Sequence, residues 1–259
     1  MKGTRTVPDG DESGRTVLSR ALAILAAFTV DRPELTLAQL CRITDLRHST
    51  AHRQVAELLE WGAVERLPNG AYVIGLRLWE LGTLNPRALP LRAHALPIME
   101  DLHSATRQHV QLAVLEGMEA VVVERISGQT VVSVASPVGG RLPLHATAAG
   151  RVLLAYGGED LFRYVTGSTL ARFTVSTITE AEPLRRVTAQ CRHDGFAVVR
   201  EELTTGTYSV AAPILDSRGQ VEAALSVVSS NSKVRAMAPA VVLAARGVSR
   251  NRGLRGRSV

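Results

Sequence analysis

The chain has only two cysteines, Cys41 and Cys191, in 259 residues. They fall on expected helices of different domains, so a disulfide framework is excluded and a reducing cytoplasm is the expected setting. No apolar run reaches the roughly eighteen residues that a membrane span needs. Residues 1–14 are polar and contain no apolar stretch, which excludes a signal peptide and leaves a disordered tail as the expectation. Motifs of metal and phosphate chemistry are missing as well. Cys191-Arg192-His193 lacks the four-ligand spacing of a zinc site. His94, His103 and His109 make no H-E-x-x-H arrangement, and Gly139-Gly140-Arg141 lacks the G-x-x-x-x-G-K pattern of a phosphate cradle. Glu201 and Glu202, adjacent at a strand end, point to opposite faces and do not converge on one atom. His145 is the best single candidate for catalysis, but capping or positioning the helix after it is the stronger reading. No catalytic constellation, cofactor or metal is expected.

What is present is an ordinary globular composition, 46% hydrophobic and 21% charged, at a length sufficient for two cores. The formal net charge is +6, and five arginines without an acid in residues 246–259 account for nearly all of it. Any nucleic-acid argument must therefore rest on where charges sit, not on their sum. The tail's arginines would add nonspecific phosphate attraction or simply be a solvated end.

Residues 45–62 carry that placement. Ala51, Val55, Leu58 and Leu59 recur at helical spacing, Ser49 or His48 stands where an N-cap belongs, and Gly62 follows the last periodic residue. The opposite face shows Ser49, Thr50, His52 and Arg53, a set suited to a DNA major groove, although an ordinary surface helix would look similar. Upstream, Thr36 opens a short helix whose Leu37, Leu40 and Ile43, with Leu46 in the turn, can pack on Ala51 and Val55. Two short helices joined by three or four residues have helix-turn-helix geometry. Residues 17–28 supply a supporting helix. Residues 63–67 and 71–75 flank Pro68-Asn69-Gly70 as two strands around an Asn-Gly turn, a wing. The candidate DNA contacts are Arg47, His48, Ser49, Thr50, His52 and Arg53, with Arg66 on the wing.

Three blocks together resemble the IclR family of bacterial transcriptional regulators. The first is Leu22-Ala23-Ile24-Leu25 with Ser49-Thr50-Ala51-His52-Arg53 and 72–78. The second is 141–155, from Arg141-Leu142-Pro143-Leu144-His145 onward. The third is Gly195-Phe196-Ala197-Val198, Glu201-Glu202, Gly206 and 211–219. The likeness spans residues 15–247 in order. It implies an α+β chain of two domains: a winged helix-turn-helix at 15–84, a linker helix at 85–106 with Pro97 kinking it or marking its first turn, and a GAF/profilin-like effector domain with an antiparallel sheet at 107–247. A basic tail, 248–259, follows.

In the effector domain the pattern predicts strands at 110–115, 120–125, 130–135, 196–200, 208–214 and 221–228. Helices are predicted at 146–155, 159–166 and 232–246, with another opened by a Thr179/Glu182 capping box and running to His193. A Gly-bearing loop before the 146–155 helix can present backbone N–H groups to an anionic or polar ligand. The family likeness places Leu142, Ala148, Ala149, Ser209 and Ser226 at an effector pocket; tight helix-on-sheet packing would also explain the small residues. Family members that hold small organic acids often carry a polar or acidic residue where Val199 stands, and a second hydroxyl where Val228 stands. A larger, partly apolar effector such as an aromatic acid is therefore expected. The resemblance further implies a homodimer or homotetramer on a near-palindromic double-stranded operator, and no membrane partner. The competing reading is an enzyme acting on a small organic acid, with an accessory winged helix.

Overall fold

The computed structural model describes residues 16–127 and 136–255. The expected tail 1–14 and strand 130–135 lie outside the described residues. The chain divides into two compact units, Met1–Pro86 and Arg87–Val259.

In the first unit, α1 (Val17–Ala27), α2 (Leu37–Thr44) and α3 (His48–Trp61) surround a core of Ile24, Ala27, Leu35, Leu40, Leu46, Ala51 and Val55. Thr36 caps α2 in a reciprocal box: its hydroxyl accepts from the Gln39 amide, and Gln39 Oε1 accepts from the Thr36 amide at 2.8 Å. Asp45 ends α2 in the left-handed region (φ 55°), a conformation that Asp tolerates better than most residues, and this drops Leu46 into the core. Helix α3 starts earlier than expected, its cap lying one residue before His48 and two before Ser49. Arg47 holds the cap position with extended backbone, and no side chain caps the helix. Gly62 closes it at φ 83°. The wing is β1 (Val64–Arg66) paired antiparallel with β2 (Tyr72–Ile74), with Gly70 at φ 83° in the turn. A short helix, α4 (Leu76–Gly82), follows and buries none of its residues.

Among the described residues, the second unit is built on a six-stranded antiparallel sheet. Its strands are β3 (His109–Glu116), β4 (Glu119–Ile126), β5 (Arg141–Pro143), β6 (Ala197–Arg200), β7 (Tyr208–Leu215) and β8 (Val221–Ser229), in the spatial order β5-β4-β3-β8-β7-β6. One face carries Val110, Leu112, Val210, Ile214, Leu225 and Val227, packed on α5 (Ala88–Thr106) and α9 (Ala238–Arg255). The other face carries Ala113, Ala211 and Ala224 under α6 (Ala148–Tyr156), α7 (Gly158–Thr166) and α8 (Ala181–Asp194).

Several expectations are corrected here. The helix read as a linker is part of the second unit's core, because Leu91, Ala95, Met99 and Leu102 are buried against the sheet. It runs through Pro97, whose missing N–H falls on the exposed side, where water can serve the orphaned carbonyl. Residues 141–143 form an edge strand, not a loop, since β4 offers them a free edge. The Thr179 hydroxyl accepts from Arg172 (2.9 Å) instead of capping α8, which begins after Glu180 with no side-chain cap. The last helix does not stop at Arg246 but continues to Arg255, so much of the expected basic tail is helical.

Candidate functional site

Helix α3 presents Arg47, His48, Ser49, His52 and Arg53 to solvent, with Thr50 half-buried among them and Arg66 exposed on the wing. Ala51 and Val55 hold the other side in the core. The uncapped start leaves first-turn amides available to an outside acceptor, and no acidic residue occupies that turn. His48 and His52 stack with ring centroids 6.5 Å apart, one helical turn along the same exposed face. The Arg66 guanidinium lies 5.8 Å from the Tyr72 ring centroid, so β2 props it on the hairpin. Cationic and hydroxyl donors thus line one side of a helix that is otherwise anchored in apolar packing.

The second unit contains a cavity that opens to solvent. Its floor is the face of the sheet that lies under α6. Register places Gln111 opposite Ser226, Val228 opposite Ser209, and Ser209 opposite Val199, so these side chains form two adjoining rows. Its roof is the start of α6, Ala146 to Ala149, and its sides are Leu142 and residues 202–204 with Thr207. The α6 start is held tightly. The Thr147 hydroxyl accepts from the Gly150 amide and donates to the Pro143 carbonyl, both at 3.0 Å. Gly150 is required there, because a Cβ would come within 2.6 Å of Leu144 Cα and of the Pro143 carbonyl.

Behind the roof lies a buried ion pair. Arg151 donates to both oxygens of Glu202, at 3.0 and 2.7 Å, and to the His145 carbonyl at 2.8 Å. The two side chains are 3% and 9% exposed. The main chain of Glu202 is tied down as well, its carbonyl accepting from the Thr177 hydroxyl at 2.6 Å. His145 stacks on Phe173 and donates from Nε2 to the Ala171 carbonyl at 2.9 Å. Burial holds its imidazole below the ordinary value, with the Ala171 bond opposing. It neither caps α6, a role Thr147 fills, nor faces a nucleophile. Burial likewise pushes the Cys191 thiol up to about 12, which makes it a core residue and a poor nucleophile. Among the described residues no group of three or more His, Cys, Asp or Glu side chains could hold a metal.

Residues 17–68 match the IclR helix-turn-helix domain, and residues 86–250 match the C-terminal domain of bacterial IclR transcriptional regulators. The chain belongs to the IclR family. This IclR-family regulator is 34% identical over 219 residues to the HTH-type transcriptional regulator XynR of Escherichia coli, covering 84% of this chain and 87% of XynR. It is 34% identical to KipR of Bacillus subtilis, over 80% of this chain and 83% of KipR. The crystal structure of an IclR homolog from Microbacterium hydrocarbonoxydans complexed with 4-hydroxybenzoate superposes with a TM-score of 0.87 at 37% identity, over 93% of this chain and all of that one. The chain is thus a helix-turn-helix transcriptional regulator with an effector-binding C-terminal domain, and not an enzyme. No helix among the described residues is long and apolar enough to cross a membrane.

Within this regulator, all five residues assigned to an effector pocket, Leu142, Ala148, Ala149, Ser209 and Ser226, line the one cavity, together with Val199 and Val228. Sequence reasoning did not place Gln111, Ser136, Glu202, Leu203, Thr204 and Thr207 there. For Gln111 a signal existed: it is a polar residue in the midst of the apolar run Val110 to Leu115, on one side of the pleat.

Proposed function

We propose that this protein binds a near-palindromic operator as a dimer or dimer of dimers, in the reducing cytoplasm, and that an aromatic or similarly apolar acid tunes that binding. The α3 face from Arg47 to Arg53 reads the major groove. Its first-turn amides and hydroxyls meet phosphates, Arg53 reaches a base edge, and Arg66 holds the backbone from the wing. Leu76, Trp79 and Leu84 are 62%, 67% and 75% exposed, an apolar surface that supports contact with a second copy.

The observation that carries the effector reading is the cavity floor. Val199 and Val228 supply apolar rows where a compact, multiply charged acid would need hydrogen-bonding partners. Ser209, Ser226 and the α6 amides at Ala148 and Ala149 remain to orient a polar end. The 4-hydroxybenzoate bound to the Microbacterium homolog supports the same chemical class. The effector acts by favouring one arrangement of the sensor units over another, which changes the spacing of the two reading helices.

The test is footprinting of the purified protein on DNA upstream of its own gene, with and without benzoate, hydroxybenzoates, glyoxylate and pyruvate. Protection of two half-sites about one or more helical turns apart, altered by aromatic acids and not by glyoxylate or pyruvate, is the expected result. No protected site, or a response to the small acids alone, overturns the reading.

A further inference from the structure

The cavity floor has a corner with acceptors to spare. Gln111 is 3% exposed, on the β3 row that faces the cavity. Its Nε2 donates to the Ser136 carbonyl at 3.3 Å, which fixes the amide so that Oε1 is left over. Among the described residues, Oε1 accepts no hydrogen bond. Beside it, the Ser226 hydroxyl spends its proton on the Gln111 main-chain carbonyl (3.4 Å), leaving its lone pairs toward the cavity. The Ser136 carbonyl that holds the amide is itself steadied by Arg125 at 3.4 Å. The carboxylate on the lining, Glu202, has both oxygens engaged by Arg151.

Further donors sit elsewhere. The α6 amides lie in the roof, and Ser209 lies two strands and two residues from Gln111. At ordinary sheet spacings that separation is roughly 12 Å between Cα atoms. Between them stands Val228 on β8. The cavity therefore has a donor end, an apolar middle and an acceptor corner.

We infer that Gln111 is a specificity-determining residue, whose Oε1 takes a hydrogen bond from a hydroxyl on the effector while the carboxylate lies at the donor end. A buried acceptor left without a donor is unfavourable, so an effector that brings one is favoured over the same molecule without it. The inference rests on the aromatic-acid reading above and adds to it that the acid must carry a hydrogen-bond donor.

Calorimetric titration of the full chain with benzoate, 3- and 4-hydroxybenzoate and their methyl ethers tests it. The expected result is that the better hydroxybenzoate binds about tenfold or more tightly than benzoate, and by a similar factor more tightly than its methyl ether, which accepts but cannot donate. Gln111→Met keeps the length of the side chain and removes the acceptor; it should weaken the hydroxybenzoate by that factor and leave benzoate within about twofold. Equal binding of hydroxybenzoate, ether and benzoate to the wild-type protein would overturn the role of Gln111 and leave the aromatic-acid reading standing. So would an equal loss for all ligands in a folded Gln111→Met. No binding of any of these acids by the wild-type chain would remove both. If the variant fails to fold, the hydroxyl-against-ether comparison on the wild-type protein decides alone.

Discussion

Removing one partner of the Arg151–Glu202 pair should cost far more than a surface ion pair would. The guanidinium and carboxylate are 3% and 9% exposed and joined by two hydrogen bonds of 3.0 and 2.7 Å. At an effective dielectric of about 20 and a charge separation of about 4 Å, their attraction is about 4 kcal/mol. Glu202→Leu leaves the Arg151 charge buried with the His145 carbonyl as its remaining partner. Loss of one member of such a pair costs about 3–5 kcal/mol, against about 5–15 kcal/mol for the stability of a whole domain. Arg151→Met should cost a similar amount, for the mirror-image reason.

The double variant Arg151→Met/Glu202→Leu removes both charges and should recover most of that loss, since apolar replacement of a buried pair is often neutral. Only the bond to the His145 carbonyl is then missing, worth about 1–3 kcal/mol. The assay is urea unfolding of the four proteins followed by far-UV circular dichroism. Both tryptophans, Trp61 and Trp79, lie in the first unit, so their fluorescence follows the reading domain separately. The expected cycle gives a coupling of at least about 3 kcal/mol in the second unit's transition, with the tryptophan signal unmoved. Single variants that each cost less than about 1 kcal/mol, or costs that simply add, would refute the claim that this pair is buried and mutually dependent.

Three further outcomes follow from the same geometry. Arg53→Ala should cost about 1–3 kcal/mol of operator affinity and relax specificity at one base position, whereas Arg66→Ala should weaken all sequences alike and reduce the salt slope by about one; equal, sequence-independent losses measured by fluorescence anisotropy would count against Arg53 as a base reader. Val199→Asp places a carboxylate on the floor beside Ser209, so a thermal-shift panel should show aromatic acids losing about tenfold or more in affinity relative to glyoxylate and pyruvate, and an unchanged ranking would contradict the cavity assignment. His145 is held neutral by burial, so its folded pKa lies below the unfolded value of about 6.5 and the unfolded state binds more protons as pH falls past that point. Its share of stability is therefore complete above about pH 6.5 and declines as pH falls toward the lowered folded pKa; His145→Asn should flatten the melting temperature profile between about pH 5 and 7, and an unchanged slope would show that the ring is not buried in solution.

The reading domain was legible because its signals are local. Thr36 and Gln39 make a box three residues apart, Gly62 stops α3, and the Asn69-Gly70 turn sets the register of the wing, all within short windows. The C-terminal helix was misread for an equally local reason. Gly247 resembles a stop, but it sits mid-helix where a Cβ would come within 3.3 Å of Ile98, and it is small because α9 lies close against α5. The Thr179/Glu182 spacing had the form of a capping box, yet Arg172 claims the hydroxyl from a loop seven residues away. Local patterns state what a residue can do; long-range partners decide which of those options is taken.

The cavity was half legible for a related reason. On β3 and β8, residues facing α5 and α9 are Val110, Leu112, Leu225 and Val227, which fill their layer. Their neighbours on the other face are Gln111, Ala113, Ala224, Ser226 and Val228, smaller or polar at nearly every step. A sheet whose two faces were both structural would need comparable volume on each, because interiors are packed to near-crystalline density. The asymmetry is visible in the alternation of each strand taken singly. What is not visible is that antiparallel register sets Gln111 beside Ser226 and Val199 beside Ser209, so that the missing volume of four strands falls in one place under the start of α6. The space exists because Ala148 and Ala149 are too small to fill it from above, and Gly150 lets the Pro143–Leu144 backbone close over it. Polar residues at the bottom of that space lose their access to water once a ligand covers them, so a ligand of matching hydrogen-bond polarity is favoured over one without it.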